Sequence, residues 1–188
     1  MTFVCLTIIT TFAMDEIIEV DVKVGALLRE FVISANGSDL LMPQKDDVLW
    51  CICKQNLLTA PPVPVVIKDR TEYIRIALVK TAASSKVYNI YKEENIRINT
   101  LFRNFFNEDG QARICNYLMK LYHSTFIVYM ESHLKANPDI QIKQAIANFL
   151  TSYNIMMDHI THEALRKYWY RHQKRNEGRE KNMMQALI

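Results

Sequence analysis

The sequence predicts an α+β fold: a small N-terminal sheet with short helices, then a mainly helical C-terminal half that ends in a helix-turn-helix-like pair. Two segments alternate apolar and polar residues with the period of two that a half-buried strand requires. From Glu93 onward the apolar residues recur instead at the spacing of one helix face. The last two helical segments are separated by a turn, and the second of them is strongly basic. A chain of 188 residues suffices for one well-buried core, or a small core with a helical appendage, and is too short for two full-sized domains. With 49% apolar residues and only 4 Gly and 5 Pro, it buries enough surface to offset the entropy of ordering.

In chain order, Glu16 to Val24 is the clearest strand, with Ile18, Val20, Val22 and Val24 facing one way and Glu19, Asp21 and Lys23 the other. "ALLREFVISANG" sets Leu27, Leu28, Phe31, Val32 and Ala35 on one helical face and closes on Asn36-Gly37, suited to a left-handed cap. Ser38 to Pro43 is a brief extended piece. Asp46-Asp47 can then cap a helix carrying Val48, Leu49, Ile52, Cys53 and Leu57. "TAPPVP", from Thr59, reads as a polyproline-like connector, because its prolines remove donors and push their neighbours toward extended backbone. Glu72 to Val79 is a second strand of the same sheet, with Ile74, Ile76 and Leu78 inward. Val87 to Tyr91 fits either a short strand or irregular chain.

"EENIRINTLFRNFFNEDG" places Ile98, Leu101, Phe102, Phe105 and Phe106 on one helical face and stops at Asp109-Gly110. Gln111 to Ala136 is a long helix with Ile114, Leu118, Leu121, Tyr122 and Thr125 at helical spacing; "FIVYM" inside it fits strand or helix, and the absence of a breaker favours helix. Asn137, Pro138 and Asp139 are then a capping residue, a first-turn proline and an acid at a positive helix end, opening a helix striped by Ile142, Ala145, Ile146, Phe149, Leu150 and Tyr153. The expected organisation is a small α/β unit over 14–92, a helical region over 93–176 and a tail over 177–188. Residues 1–13, "MTFVCLTIITTFA", are either an upstream extension before a start at Met14 or a weak signal-like segment; the run lacks a preceding cation and is too short to span a bilayer.

The net charge of +3 hides an uneven distribution. Thr161 to Arg175 holds Arg166, Lys167, Arg171, Lys174 and Arg175 against Glu163 alone, so this stretch carries +4 and the remainder about −1. Thr161 can cap the final helix, and Gly178 ends it. On that helix Ala164, Leu165, Tyr168 and Trp169 share a side that can pack on the preceding helix. Arg166, Lys167, Tyr170, Arg171, Lys174 and Arg175 can face outward, where cations neutralise phosphates whatever the base sequence. Arg or Tyr near base edges would add selectivity. Two features depart from a standard helix-turn-helix: the connection from Asn154 to Ile160 is long and lacks glycine, and the cations crowd toward the C-terminal half of the helix, whereas bases are usually read from the N-terminal half. A basic C-terminal end also suits the helix dipole.

No other constellation carries chemistry. The four cysteines, Cys5, Cys51, Cys53 and Cys115, lack paired C-x-x-C spacing, which fits a reducing, cytoplasmic setting without a metal. His159 and His162 read as polar residues at a helix start, Cys115 as core and His123 as surface. Asp46-Asp47 and Glu93-Glu94 fit helix starts better than a catalytic pair. Phe102, Phe105, Phe106, Tyr117, Tyr122 and Phe126 read as core, not as a base-stacking platform. There is no phosphate-binding glycine loop, no Walker pattern and no nucleophile elbow. The expectation is a protein that is not an enzyme, uses no cofactor and has no membrane span.

"VDVKVGALLREF", "TAPPVPVVI" and "IKQAIANFLTSYNI" followed by "LRKYWYRHQKR" resemble small uncharacterised proteins of phages and mobile elements of gut Bacteroidales, over most of Glu16 to Arg175. The resemblance implies an accessory protein with a helix-turn-helix-like end and carries over no catalytic residue. The expected function is nucleic-acid binding, of DNA before RNA, through the basic helix. The alternative is a structural or adaptor protein, such as a virion or assembly component, that meets an acidic protein surface or forms a homo-oligomer; Met183, Met184, Leu187 and Ile188 are a further candidate docking element.

Overall fold

The computed structural model describes residues 17–60, 70–79, 103–156 and 159–185. Along these the elements are β1 (Ile17–Lys23), α1 (Ala26–Asn36), β2 (Leu40–Leu41), α2 (Val48–Asn56), β3 (Leu57–Ala60), β4 (Tyr73–Val79), β5 (Arg103–Phe106), α3 (Glu108–Ala136), α4 (Ile142–Ser152) and α5 (His159–Gln185). The expectations for residues 1–13, most of the proline connector, Val87 to Tyr91 and the stretch from Glu93 to Phe102 lie outside the described residues.

The α+β architecture predicted from the sequence is the one observed. β1 lies antiparallel to β4, with Val20 opposite Ile76 and Val22 opposite Ile74, and β2 joins the other edge of β4 in parallel. Strand alternation puts Val20, Val22, Ile74, Ile76 and Leu78 into the core. The opposite face carries ion pairs: Arg70 to Asp21 at 3.2 Å, and Arg75 to Glu19 at 3.4 Å and to Asp39 at 3.0 Å. Hydrogen bonding from the Arg75 guanidinium holds the Asp39 carboxyl below its ordinary value. α1 ends as its Asn-Gly sequence predicts: Gly37 sits at φ 75° and its N–H bonds to the Ile33 carbonyl at 2.7 Å. Leu28, Phe31 and Val32 form the buried face of α1, with Ala35 exposed.

α2 begins after Asp47, but the Asp47 carboxylate accepts from the Gln44 N–H at 2.9 Å and not from a helix amide. Its buried residues are Leu49, Trp50 and Cys53; Val48, expected inward, is 60% exposed, since it lies about 100° round the helix from Leu49, on the side away from Trp50.

The helix expected to run from Glu93 to Gly110 is not helical in its described part. Residues Arg103–Phe106 form β5, antiparallel to β3 with Leu57 opposite Phe106, and β3 occupies the start of the expected connector. Besides the pairing with the distant β3, a local signal separates this stretch from the helix that follows. "NEDG" is a helix start: the Asn107 side chain accepts from the Gly110 N–H at 2.8 Å, and Glu108 and Asp109 lie where the dipole is positive. Gly110 brings α3 against the end of α2, where an added Cβ would lie 2.8 Å from the Asn56 Cβ. Pairing of β3 with β5 and one continuous hydrophobic core connect the two sides of position 92.

α3 runs unbroken through "FIVYM", as expected. Its buried residues Ile114, Leu118, Tyr122, Phe126 and Met130 recur every fourth position, so the apolar stripe drifts by about 40° per step around the helix. This slow wrap lets one helix pack α2 and α1 near its start and the C-terminal helices near its end. Asn137 closes α3, its N–H bonded to the His133 carbonyl at 3.0 Å, and does not open the next helix. Pro138 to Ile140 turn the chain, and α4 starts at Ile142 after Gln141. Ala145, Ile146, Phe149 and Leu150 are buried, with Phe149 against Tyr122, Phe126, Tyr129 and Tyr153. No helix among the described residues is long and apolar enough to cross a membrane.

Candidate nucleic-acid interface

α4 and α5 are joined by the turn that the sequence predicts, and the missing glycine is replaced by an asparagine. Asn154 takes φ 49°, a left-handed conformation that asparagine tolerates better than most residues. Its N–H bonds to the Thr151 carbonyl at 3.1 Å and the Ile155 N–H to the Leu150 carbonyl at 2.9 Å. This pair of bonds is the Schellman pattern, completed by burial of both Leu150 and Ile155. Met156 beyond it donates its N–H to Glu30 at 3.1 Å, fastening the turn to α1.

α5 starts at His159, so Thr161 lies inside its first turn and not at its cap. Gly178 does not end it either: the helix continues to Gln185, and Gly178 has no positive φ. A solvent-facing glycine in a helix costs about 1 kcal/mol relative to alanine, and a helix already anchored by its buried side tolerates that.

At about 100° per residue, the α5 side chains separate into two arcs. Tyr168, His172, Leu165, Asn176, Trp169 and Gln173 fall within about 140° of the circumference, and each is buried or half-buried. Leu165 and Trp169 are 2% and 4% exposed. Ala164, expected on this side, is exposed. The partner is not the preceding helix alone. Tyr168 stacks on His123 of α3 with ring centroids 4.1 Å apart, and His172 Nε2 lies 2.9 Å from Glu131 of the same helix. The link to α4 is the ring of His162, which donates to the Lys143 carbonyl at 3.2 Å.

Arg166, Tyr170, Lys174, Lys167, Arg171 and Arg175 lie on the opposite arc, about 180° wide, and all six are exposed; Glu163 and Glu177 share that arc. They form two rows at i, i+4, i+8 spacing: Arg166, Tyr170 and Lys174 in one, Lys167, Arg171 and Arg175 in the other. Neighbours in a row rise about 6 Å along the axis. Arg166 is engaged by Glu163 at 2.9 Å. The other four cations have no ion-pair partner among the described residues.

Among the described residues, the two thiols with perturbed titration are not activated. Burial pushes the Cys53 thiol up to about 12, and Cys115, half-buried and donating to the Lys23 carbonyl at 3.3 Å, is also raised, so neither thiol is an activated nucleophile. Cys115 is thus less buried than expected and His123 more so: its contact with Tyr168 half-buries it and burial lowers its pKa. No group of three His, Cys, Asp or Glu residues among those described could hold a metal ion. Phe106, Tyr122 and Phe126 are core as expected, and Phe105 and Tyr117 are half-buried. The sequence did not signal His123, Glu131 and His172 as the contacts that orient α5, since each needs a partner on a distant segment. Comparison with protein-family models, with curated proteins and with solved structures finds no match.

Proposed function

We propose that this protein binds nucleic acid, DNA before RNA, through the exposed arc of α5, in the phage or mobile-element setting that the sequence resemblance implies. The observation that carries the reading is the segregation on α5: five cations and one tyrosine, with Glu163 and Glu177 among them, occupy one half of the helix, and the contacts to α3 and α4 occupy the other. Clustered cations on a rigid element attract a polyanion by releasing its condensed counterions. The N-terminal half of α5 is committed to its neighbours through His162, Leu165 and Trp169, so end-on insertion into a major groove is the less favoured geometry. The long side of the helix lies against the phosphate backbone instead, which gives affinity without strong sequence preference.

The test is fluorescence anisotropy of labelled duplex DNA, single-stranded DNA and RNA across a salt series. Phosphate contacts by the four cations free of ion pairs would give a slope of log K against log salt of about −3.6 on a duplex and about −2.8 on a single strand, and Arg166, held by Glu163, would add to this only once released. Fewer contacts scale both values down. No complex with any of the three at low salt refutes the proposal.

A further inference from the structure

The exposed arc of α5 contains a group that phosphate binding alone leaves idle. Tyr170 is 47% exposed, and among the described aromatic residues every other is buried or half-buried. Neither its ring nor its hydroxyl has a partner among the described residues. The ring stands inside the cationic field, with Arg166 one helical turn before it and Lys174 one turn after it in the same row, and Lys167 and Arg171 in the row beside it.

Resting on the nucleic-acid reading above, we propose that Tyr170 is a base-stacking platform and that the preferred ligand of α5 is a single strand with unpaired bases. In a duplex the faces of the bases are covered by their neighbours, and a ring on the side of a helix meets only sugar and phosphate. In a single strand a base can turn outward and lie on the ring while the phosphates on either side of it reach the flanking cations. The spacing suits this. Cations about 6 Å before and after the ring along the helix axis bracket one nucleotide, so stacking and charge neutralisation act on the same stretch of strand. The stacking is indifferent to base identity, because every base has a π-face. Either a DNA or an RNA strand supplies this chemistry, and the 2′-hydroxyl is the one group that separates them.

The experiment uses the full chain with four labelled probes of equal length: oligo-dT, oligo-rU, an abasic phosphodiester strand and a DNA duplex. The wild-type protein is expected to bind oligo-dT or oligo-rU more tightly than the abasic strand, and comparison of these two arms assigns DNA or RNA. Tyr170→Ala is expected to lose at least about fivefold on the base-bearing strand, the low end of what one stacked base contributes, with no change on the abasic strand or the duplex. Tyr170→Phe keeps the ring and is expected to retain the wild-type affinity. Since Tyr170 is exposed and makes no ring contact or hydrogen bond among the described residues, both variants should melt with the wild type. Equal losses for Tyr170→Ala on base-bearing and abasic strands, or no loss on any strand while the salt dependence persists, overturn the stacking role and leave the phosphate reading standing. Failure to bind all four probes overturns both.

Discussion

Replacing Arg171 and Lys174 together by Gln removes two of the four arc cations that no described acidic side chain engages. Both are exposed, and neither contributes to the packed side of α5, so the fold is expected to be unaffected. Each phosphate neutralised on a duplex contributes about 0.9 to the slope of log K against log salt, so the double variant should be shallower than wild type by about 1.8. At about 0.1 M salt this corresponds to a loss of roughly 60-fold, or roughly 25-fold on a single strand, where each contact contributes about 0.7. The structure also predicts an effect of opposite sign. Glu163 occupies Arg166 at 2.9 Å, so Glu163→Gln should free that cation and raise duplex affinity by up to about eightfold at the same salt. Anisotropy titrations of all three proteins on two unrelated duplexes, at several salt concentrations, provide the readout. An unchanged slope in the double variant refutes the placement of phosphates on this arc. A loss confined to one of the two duplexes refutes sequence-independent binding.

Gly110→Ala should destabilise the protein in chemical denaturation: helix propensity favours alanine by about 1 kcal/mol, but crowding of a packed site costs about 1–3 kcal/mol, and the new Cβ would stand 2.8 Å from that of Asn56. Full recovery of the propensity gain would show that α2 and α3 do not approach so closely. At the bend, Asn154→Gly should leave the melting temperature unchanged or raised, whereas Asn154→Val should cost about 1–2 kcal/mol, since φ 49° opposes a β-branched side chain; equal melting of the two variants would contradict the left-handed turn. His123 has a pKa lowered from 6.5 by burial, so the unfolded chain takes up a proton before the folded one does. Its contribution to stability is therefore full above about pH 6.5 and is lost as the pH falls from there toward the lower folded value. Denaturation midpoints across this range should fall more steeply for wild type than for His123→Phe, which keeps an aromatic ring against Tyr168; parallel curves would disprove it.

The elements legible in the sequence are those whose pattern is complete within one segment. The alternation of Val20, Val22, Ile74 and Ile76 specifies strands because a register slip of one residue would turn every one of them to water. α1 carries its own stop signal in Asn36-Gly37, and α3 its own helical period. The division of α5 into a packed and a basic side was equally visible, because Leu165, Tyr168 and Trp169 mark the inner face wherever its partner lies. The strand at Arg103–Phe106 was not legible: "RNFF" suits a helix face as well as a strand, and its pairing with β3 comes from a distant part of the chain. "NEDG" was misread for a related reason, as asparagine and glycine occur at both ends of helices and only the hydrogen bond to the Gly110 N–H shows which end it is.

By itself the sequence determined the strands and helices with self-contained periods, the α+β class and the concentration of positive charge in one helix, because period and charge are properties of neighbouring residues. Only the tertiary structure decided where that helix sits and which of its residues remain free. His123, Glu131 and Lys143 hold α5 by contacts that exist only once distant segments meet. By occupying one side of the helix, those contacts leave Tyr170 and its surrounding cations as its open face.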